Sequence, residues 1–283
     1  MEASMLEEIF TYQFLQNALI AGVLASIVCG LIGVIIVERK MIMIGGGIAH
    51  TAYGGVGLGY LLGFSPIIGA CIFAVLAAFG IGAAKRKGRV QTDILIALFW
   101  SLGMALGIAF IGMVPGYAPD ISTYLFGNIL TVTRFDLILM GILTAVAVFI
   151  IVMLYQDWKF FLFDSQFAEI RGIKVKFLEY LLLVLIALAV VVLIRVAGII
   201  LVIALLAAPA ACACLISKRL KNRMLLAIGF GILFCFAGIA LSYAINIASG
   251  AAIVIISVVT YAIIYICALI QHKKQVAERR LHS

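Results

Sequence analysis

An all-α, polytopic membrane protein is the fold class this sequence predicts, on three observations. Of 283 residues, 66% are hydrophobic and 11% charged, whereas a soluble domain carries about 25% charged residues. The apolar residues fall in runs close to the ~20 that a helix needs to cross the hydrocarbon core. The cations, finally, cluster at alternate ends of those runs, as membrane orientation demands.

The runs at 12–37, 42–63, 66–84, 94–114, 136–155, 177–194, 198–217, 224–246 and 251–270 predict about nine transmembrane helices. Leu181 to Ile216 is too long for one crossing. A tight turn near Arg195 and Gly198 divides it, a re-entrant piece being the other reading, so eight to ten crossings stay open. With the N-terminus outside, 18 of the 20 lysines and arginines face the cytoplasm, leaving Arg134 and Arg195 near the other side. The acidic start, MEASMLEE, suits an exported N-terminus. It lacks a basic n-region, so no cleaved signal peptide is expected. The net charge of +8 therefore describes orientation. Cations scattered over five loops, without interleaved aromatics, are no nucleic-acid footprint.

No soluble domain, linker or repeat interrupts residues 1–283, which read as a single transmembrane domain. The six cysteines (29, 71, 212, 214, 235, 267) lie inside apolar runs without a CxxC pair, so they read as small hydrophobes. Trp100, Trp158, Tyr117 and Tyr124 read as interface anchors; His272 and His282 read as solvated tail residues.

Two connections are long. The outer one, 115–135, contains ISTYLFGNIL, a candidate short helix at the interface. The inner one, 156–176, contains FDSQFAEIRG. Asp164 is placed to cap a helix, and Gly172 suits the left-handed residue that ends one. Phe163, Phe167 and Ile170 fall at i, i+4 and i+7 and predict one apolar face, with Ser165, Glu169 and Arg171 elsewhere. A helix this short needs a docking partner to persist, either its own membrane domain or another protein.

The second run carries GGGIAHTAYGGVG over 45–57. His50 lies about eight residues in, roughly 12 Å from the cytoplasmic edge. An ionisable group that deep usually faces a bundle interior or a wet cavity. Gly46, His50 and Gly54 share one helix face, and Gly47, Thr51 and Gly55 an adjacent one. The glycines allow two readings: close helix packing, or walls that keep a polar path open beside the imidazole.

Five segments, in order, resemble the membrane permease of ABC importers for zinc, manganese, iron and related divalent metals. They are GGGIAHTAYGGVGLGYLLG (45–63), YLFGNILTVTRFDL (124–137), FDSQFAEIRGIKV (163–175), GIILVIALLAAPAACACL (198–215) and LSYAINIASGAAIVI (241–255). The resemblance implies a type II ABC importer-like fold in a bacterial or archaeal cell membrane, acting as a homodimer. It also implies two partners, a separate ATPase and an extracytoplasmic metal-binding protein. The inner loop becomes a coupling helix, about 163–172, whose Phe163, Asp164, Ser165, Phe167, Ala168, Glu169, Arg171 and Gly172 would meet the ATPase. No G-x-x-x-x-G-K-[ST] loop is present, so ATP hydrolysis is expected on that other chain and this one is not an enzyme.

The family usually has an aspartate where this chain has Gly46, and often an acid where it has Asn246. His50 alone falls short of the roughly four ligands of a tight zinc site. A second His50 across a dimer axis, or a loose shell of Thr51, Met43, Asn246 and carbonyls, would complete a weak site; a chelate or other small solute is the third option. No resident cofactor is expected, the metal being the cargo. The rival classes are an ion-coupled secondary transporter, which usually needs buried acids or broken helices, and a membrane-embedded enzyme, for which no nucleophile–base pair or HExxH is present.

Overall fold

Apolar runs bounded by charge or glycine become helices, since a backbone in hydrocarbon must satisfy its own hydrogen bonds. The computed structural model describes the backbone of residues 12–86, 91–115, 127 and 129–281. Lys87, Arg89, Tyr117, Tyr124, His282 and most of the ISTYLFGNIL segment lie outside the described residues. So do the side chains of Arg195, His272, Lys274, Arg279 and Arg280. In chain order the helices are α1 (Gln13–Glu38), α2 (Ile42–Leu62), α3 (Pro66–Arg86), α4 (Thr92–Gly112), α5 (Arg134–Met153), α6 (Tyr155–Phe163), α7 (Ser165–Ile170), α8 (Val175–Ile216), α9 (Leu220–Ile245) and α10 (Ser249–Leu281). A 3-10 turn, Ile129–Thr131, precedes α5.

Among the described residues eight stretches are long and apolar enough to cross a bilayer: α1, α3, α4, α5, the two halves of α8 (Val175–Ile194 and Ala197–Ile216), α9, and Ser249–Gln271 of α10. The ninth expected window is α2. It is 21 residues long, about 30 Å of helix, and buried throughout from Ile44 to Gly57. Protein rather than lipid surrounds it.

The long run over α8 reverses direction. A straight 42-residue helix would reach about 63 Å, yet its two ends meet neighbouring residues of α1. Glu179 Oε1 is 3.5 Å from Arg39 Nη2, and the Cys214 thiol donates to Glu38 Oε1 at 3.3 Å. The break is Gly198, at φ 73° and ψ 162°, a backbone conformation natural only to glycine. The expected tight turn is thus present. The outer loop rests on its apex, because a Cβ on Gly127 would fall on the Ala197–Gly198 backbone.

α2 packs between α3 and α4, while α1 packs against α9, α8 and α5, and α8 also touches α2, α3 and α10. Small residues set the spacing. A side chain on Gly55 would strike the Gly69 carbonyl of α3, and one on Gly57 or Gly54 would press on Gly107 or Gly103 of α4. Of the two readings of the glycine ridge, close packing is the one seen; these glycines do not wall an open path.

At the cytoplasmic end Glu179 joins two cations, lying 3.5 Å from Arg39 and 3.6 Å from Lys85 Nζ. Arg39 also stacks over Phe161 at 4.2 Å and approaches the Phe161 carbonyl at 3.4 Å. This half-buried network ties the ends of α1, α3 and α8 to α6. Glu179→Ala leaves two cations facing each other and is expected to cost about 1–2 kcal/mol, read as a lower melting temperature in detergent. An unchanged melting temperature would show that the network carries no stability.

Candidate metal pathway and inner docking helix

His50 lies mid-way along α2 and is 8% exposed. Its Nδ1 sits 2.9 Å from the carbonyl oxygen of Gly46, one turn back. A carbonyl only accepts, so Nδ1 donates, and in the neutral form of the ring the lone pair then lies on Nε2. The indole of Trp100 on α4 stacks on the imidazole, with centroids 3.7 Å apart and planes 16° apart. One nitrogen tied to a backbone carbonyl and a clamped ring are how proteins prepare a histidine to ligate metal.

The other expected ligands are not gathered around it. Thr51 commits its hydroxyl proton inside the bundle, donating to Gly47 O at 2.7 Å with Phe99 O at 3.0 Å. Gly46 lies under Trp100; a Cβ there would sit 3.1 Å from the indole and 3.5 Å from Ile203. Met43 is exposed at the start of α2 and lines a 280 Å³ cleft with Asp93, Trp100 and Ser101. Asn246 belongs to the opposite end of the bundle. It takes φ 54° and ψ 47° as the left-handed cap of α9 and borders a cleft with Tyr12, Phe14 and Ser242. The loose shell of Thr51, Met43 and Asn246 is therefore not assembled within one chain. Among the described residues no three His, Cys, Asp or Glu side chains come together as a metal site.

Two residues join the site that sequence reasoning missed. Trp100 is the lid of His50 rather than only an interface anchor, and Asp93 places a carboxylate in the cleft that Trp100 borders. Neither has a local signature, because their partners lie some 50 residues away in sequence.

The inner loop folds as two short helices. The chain leaves α5 at Leu154, turns into α6, and breaks at Asp164, whose φ −155° and ψ 111° are extended. Asp164 caps α7 as expected, Oδ1 accepting from Gln166 N at 2.9 Å and Phe167 N at 3.2 Å. Gly172 ends it at φ 81°. The single apolar face is corrected, however: Phe163 ends α6, and the extended Asp164 takes it out of phase with Phe167 and Ile170. Phe163 is still 90% exposed and Ile170 85%, while Ala168 anchors the helix inward and is buried. Ser165 opens α7 and Glu169 lies on its exposed side. Arg171 stacks on both Phe160 and Phe167, at 4.9 and 5.2 Å, which fastens α7 to α6.

Residues 11–268 match the sequence profile of the family described as ABC 3 transport family. An uncharacterised membrane protein of Synechocystis is 43% identical over 252 residues, covering 89% of this chain and 90% of that protein. The manganese transport system membrane protein MntC of Listeria monocytogenes is 36% identical over 278 residues, covering 96% of this chain and 99% of the relative. Among solved structures, PsaBC from Streptococcus pneumoniae in complex with Fab superposes with a TM-score of 0.84 at 34% identity, covering 94% of this chain and 95% of that one.

Proposed function

Because this chain belongs to the ABC 3 transport family, as a multi-pass permease of the cell membrane, we propose that it forms the translocation path of an ATP-driven importer for a divalent transition metal. Manganese leads zinc and iron, since relatives named for manganese transport match nearly the whole chain. Two copies would face one another, ATP would be hydrolysed on a separate ATPase subunit, and an extracytoplasmic metal-binding protein would deliver the ion. Membership of an ABC family favours this reading over an ion-coupled carrier.

The observation that supports the proposal is the His50 Nδ1–H bond to Gly46, which in the neutral ring leaves Nε2 as the nitrogen able to ligate a cation. One imidazole per chain is a weak site, and weak binding suits a step that must release its cargo. The contacts also supply a mechanical route. Phe167 and Ile170 on α7, and Phe163 at the end of α6, meet the ATPase; Arg171 passes its motion to Phe160 on α6. Phe161 passes it to Arg39, and Glu179 and Lys85 carry it to α8 and α3. Because α3 touches α2 backbone to backbone at Gly69 and Gly55, α2 and its histidine follow.

Phe167→Asp tests this coupling by placing a charge on the docking face. It is expected to lower co-purification of the ATPase and metal-stimulated ATP hydrolysis at least about tenfold, the size of a 1.4 kcal/mol contact, with the permease still folded. Undiminished metal-stimulated hydrolysis would sink the docking assignment.

A further inference from the structure

At the cytoplasmic end a cleft of 1010 Å³ opens between α6 and the start of α9. Lys159, Lys218, Arg219, Lys221 and Arg223 line it against one acid, Glu38. Glu38 is already ion-paired with Arg223. The other four cations are exposed and make no side-chain hydrogen bond or ion pair among the described residues. The coupling route through α7 uses none of them.

The backbone adds donors of its own. Helix α9 runs for 26 residues with no side-chain cap at its N-terminus, and the residues of its first turn, Leu220, Lys221 and Asn222, border the same cleft. The first N–H groups of a helix lack intrahelical partners and carry the positive end of its dipole, so cations and free amides converge on one volume. That is an anion site.

Its surroundings point to where the anion comes from. Leu225, one turn into α9, lines the cleft and is exposed, and Leu233 further along the same helix is exposed too. That apolar face belongs to a helix long and apolar enough to span the membrane. Tyr155, an amphipathic ring suited to the headgroup level, also lines it. An occupant with a phosphate at one end and hydrocarbon at the other satisfies both parts.

We infer that this cleft binds the phosphate headgroup of an anionic phospholipid from the cytoplasmic leaflet, Lys159, Lys218, Arg219 and Lys221 holding the phosphate and the exposed α9 face that begins at Leu225 its acyl chains. The inference is independent of which solute is carried. An acidic face of a partner protein is the competing occupant, since Phe163 also lines the cleft, but it would leave the exposed Leu225 face without a role.

The test titrates the full-length permease in detergent with tail-labelled phosphatidylglycerol, displacing it with unlabelled phosphatidylglycerol, phosphatidylcholine or inorganic phosphate. Phosphatidylglycerol should displace at least about tenfold better than phosphatidylcholine. The triple variant Lys159→Gln, Lys218→Gln, Lys221→Gln should lose that preference, and the corresponding triple Lys→Arg variant should keep it. Equal displacement by the two lipids, or a preference retained in the Gln variant, would overturn the inference. Displacement by millimolar phosphate as complete as by the lipid would reassign the cleft to a free anion. Loss of ATPase co-purification in the Gln variant with lipid preference intact would reassign it to the partner protein. None of these readouts depends on His50 or on uptake.

Discussion

His50→Ala is expected to lower radioactive manganese uptake at least about tenfold, since losing even a hydrogen-bond partner of a metal ligand costs about 10–100-fold. Insertion and ATPase assembly should survive. The imidazole is not a keystone of the fold: among the described residues its hydrogen bond runs to a carbonyl on its own helix, and its ring stacks on the Trp100 indole. Removing it opens a small cavity under Trp100, at a cost of about 1–3 kcal/mol, spread over a large bundle. Uptake into proteoliposomes and melting temperature, measured on one preparation, separate the two effects. Near-normal uptake would take His50 out of the path. Trp100→Phe is the companion variant: it preserves a stacking ring over the imidazole, so its uptake should stay within a few-fold of the parent chain.

Gly55→Val should have the largest effect on stability. The α2 and α3 backbones meet at Gly55 and Gly69, and a Cβ on either would overlap the carbonyl of the other. Neither helix can yield without moving its own neighbours, α4 for α2 and α8 for α3. Overpacking at backbone contacts without flexible side chains costs about 3 kcal/mol or more, so monodisperse protein should nearly vanish from detergent extracts. Gly141→Ala and Gly229→Ala are the controls. No atom lies within 4 Å of a Cβ at either position, and both sit inside helices, so each should be neutral or gain up to about 1 kcal/mol. Wild-type melting of Gly55→Val would mean that the two backbones do not touch.

The crossings were legible because hydrocarbon imposes a length and a polarity on each, and because charge marks their ends. The reversal inside α8 was readable for the same reason, one run being twice too long. Asp164 and Gly172 were readable because caps act within a few residues. What the sequence hides is phase and partnership. Asp164's extended backbone displaces Phe163 from the face that periodicity assigned to it. Trp100 and Asp93 reach the His50 region only through the packing of α4 on α2. Asn246, read as a ligand by resemblance, ends a helix 20-odd residues beyond the basic cleft that begins it. One local signal went unused: Thr133 and Asp136 form a reciprocal capping box, which starts α5 two residues before the window chosen from hydropathy.

The low hydropathy of α2 bears on how such a protein is made. Seven glycines and a histidine among its 21 residues give Ile42–Leu62 little affinity for bare lipid, and it is absent from the stretches apolar enough to cross unaided. Its stay in the bilayer thus depends on α3 and α4, which emerge later from the ribosome and cover its bare peptide groups. Biogenesis then has an order: α2 is the last of the first four helices to find its permanent home.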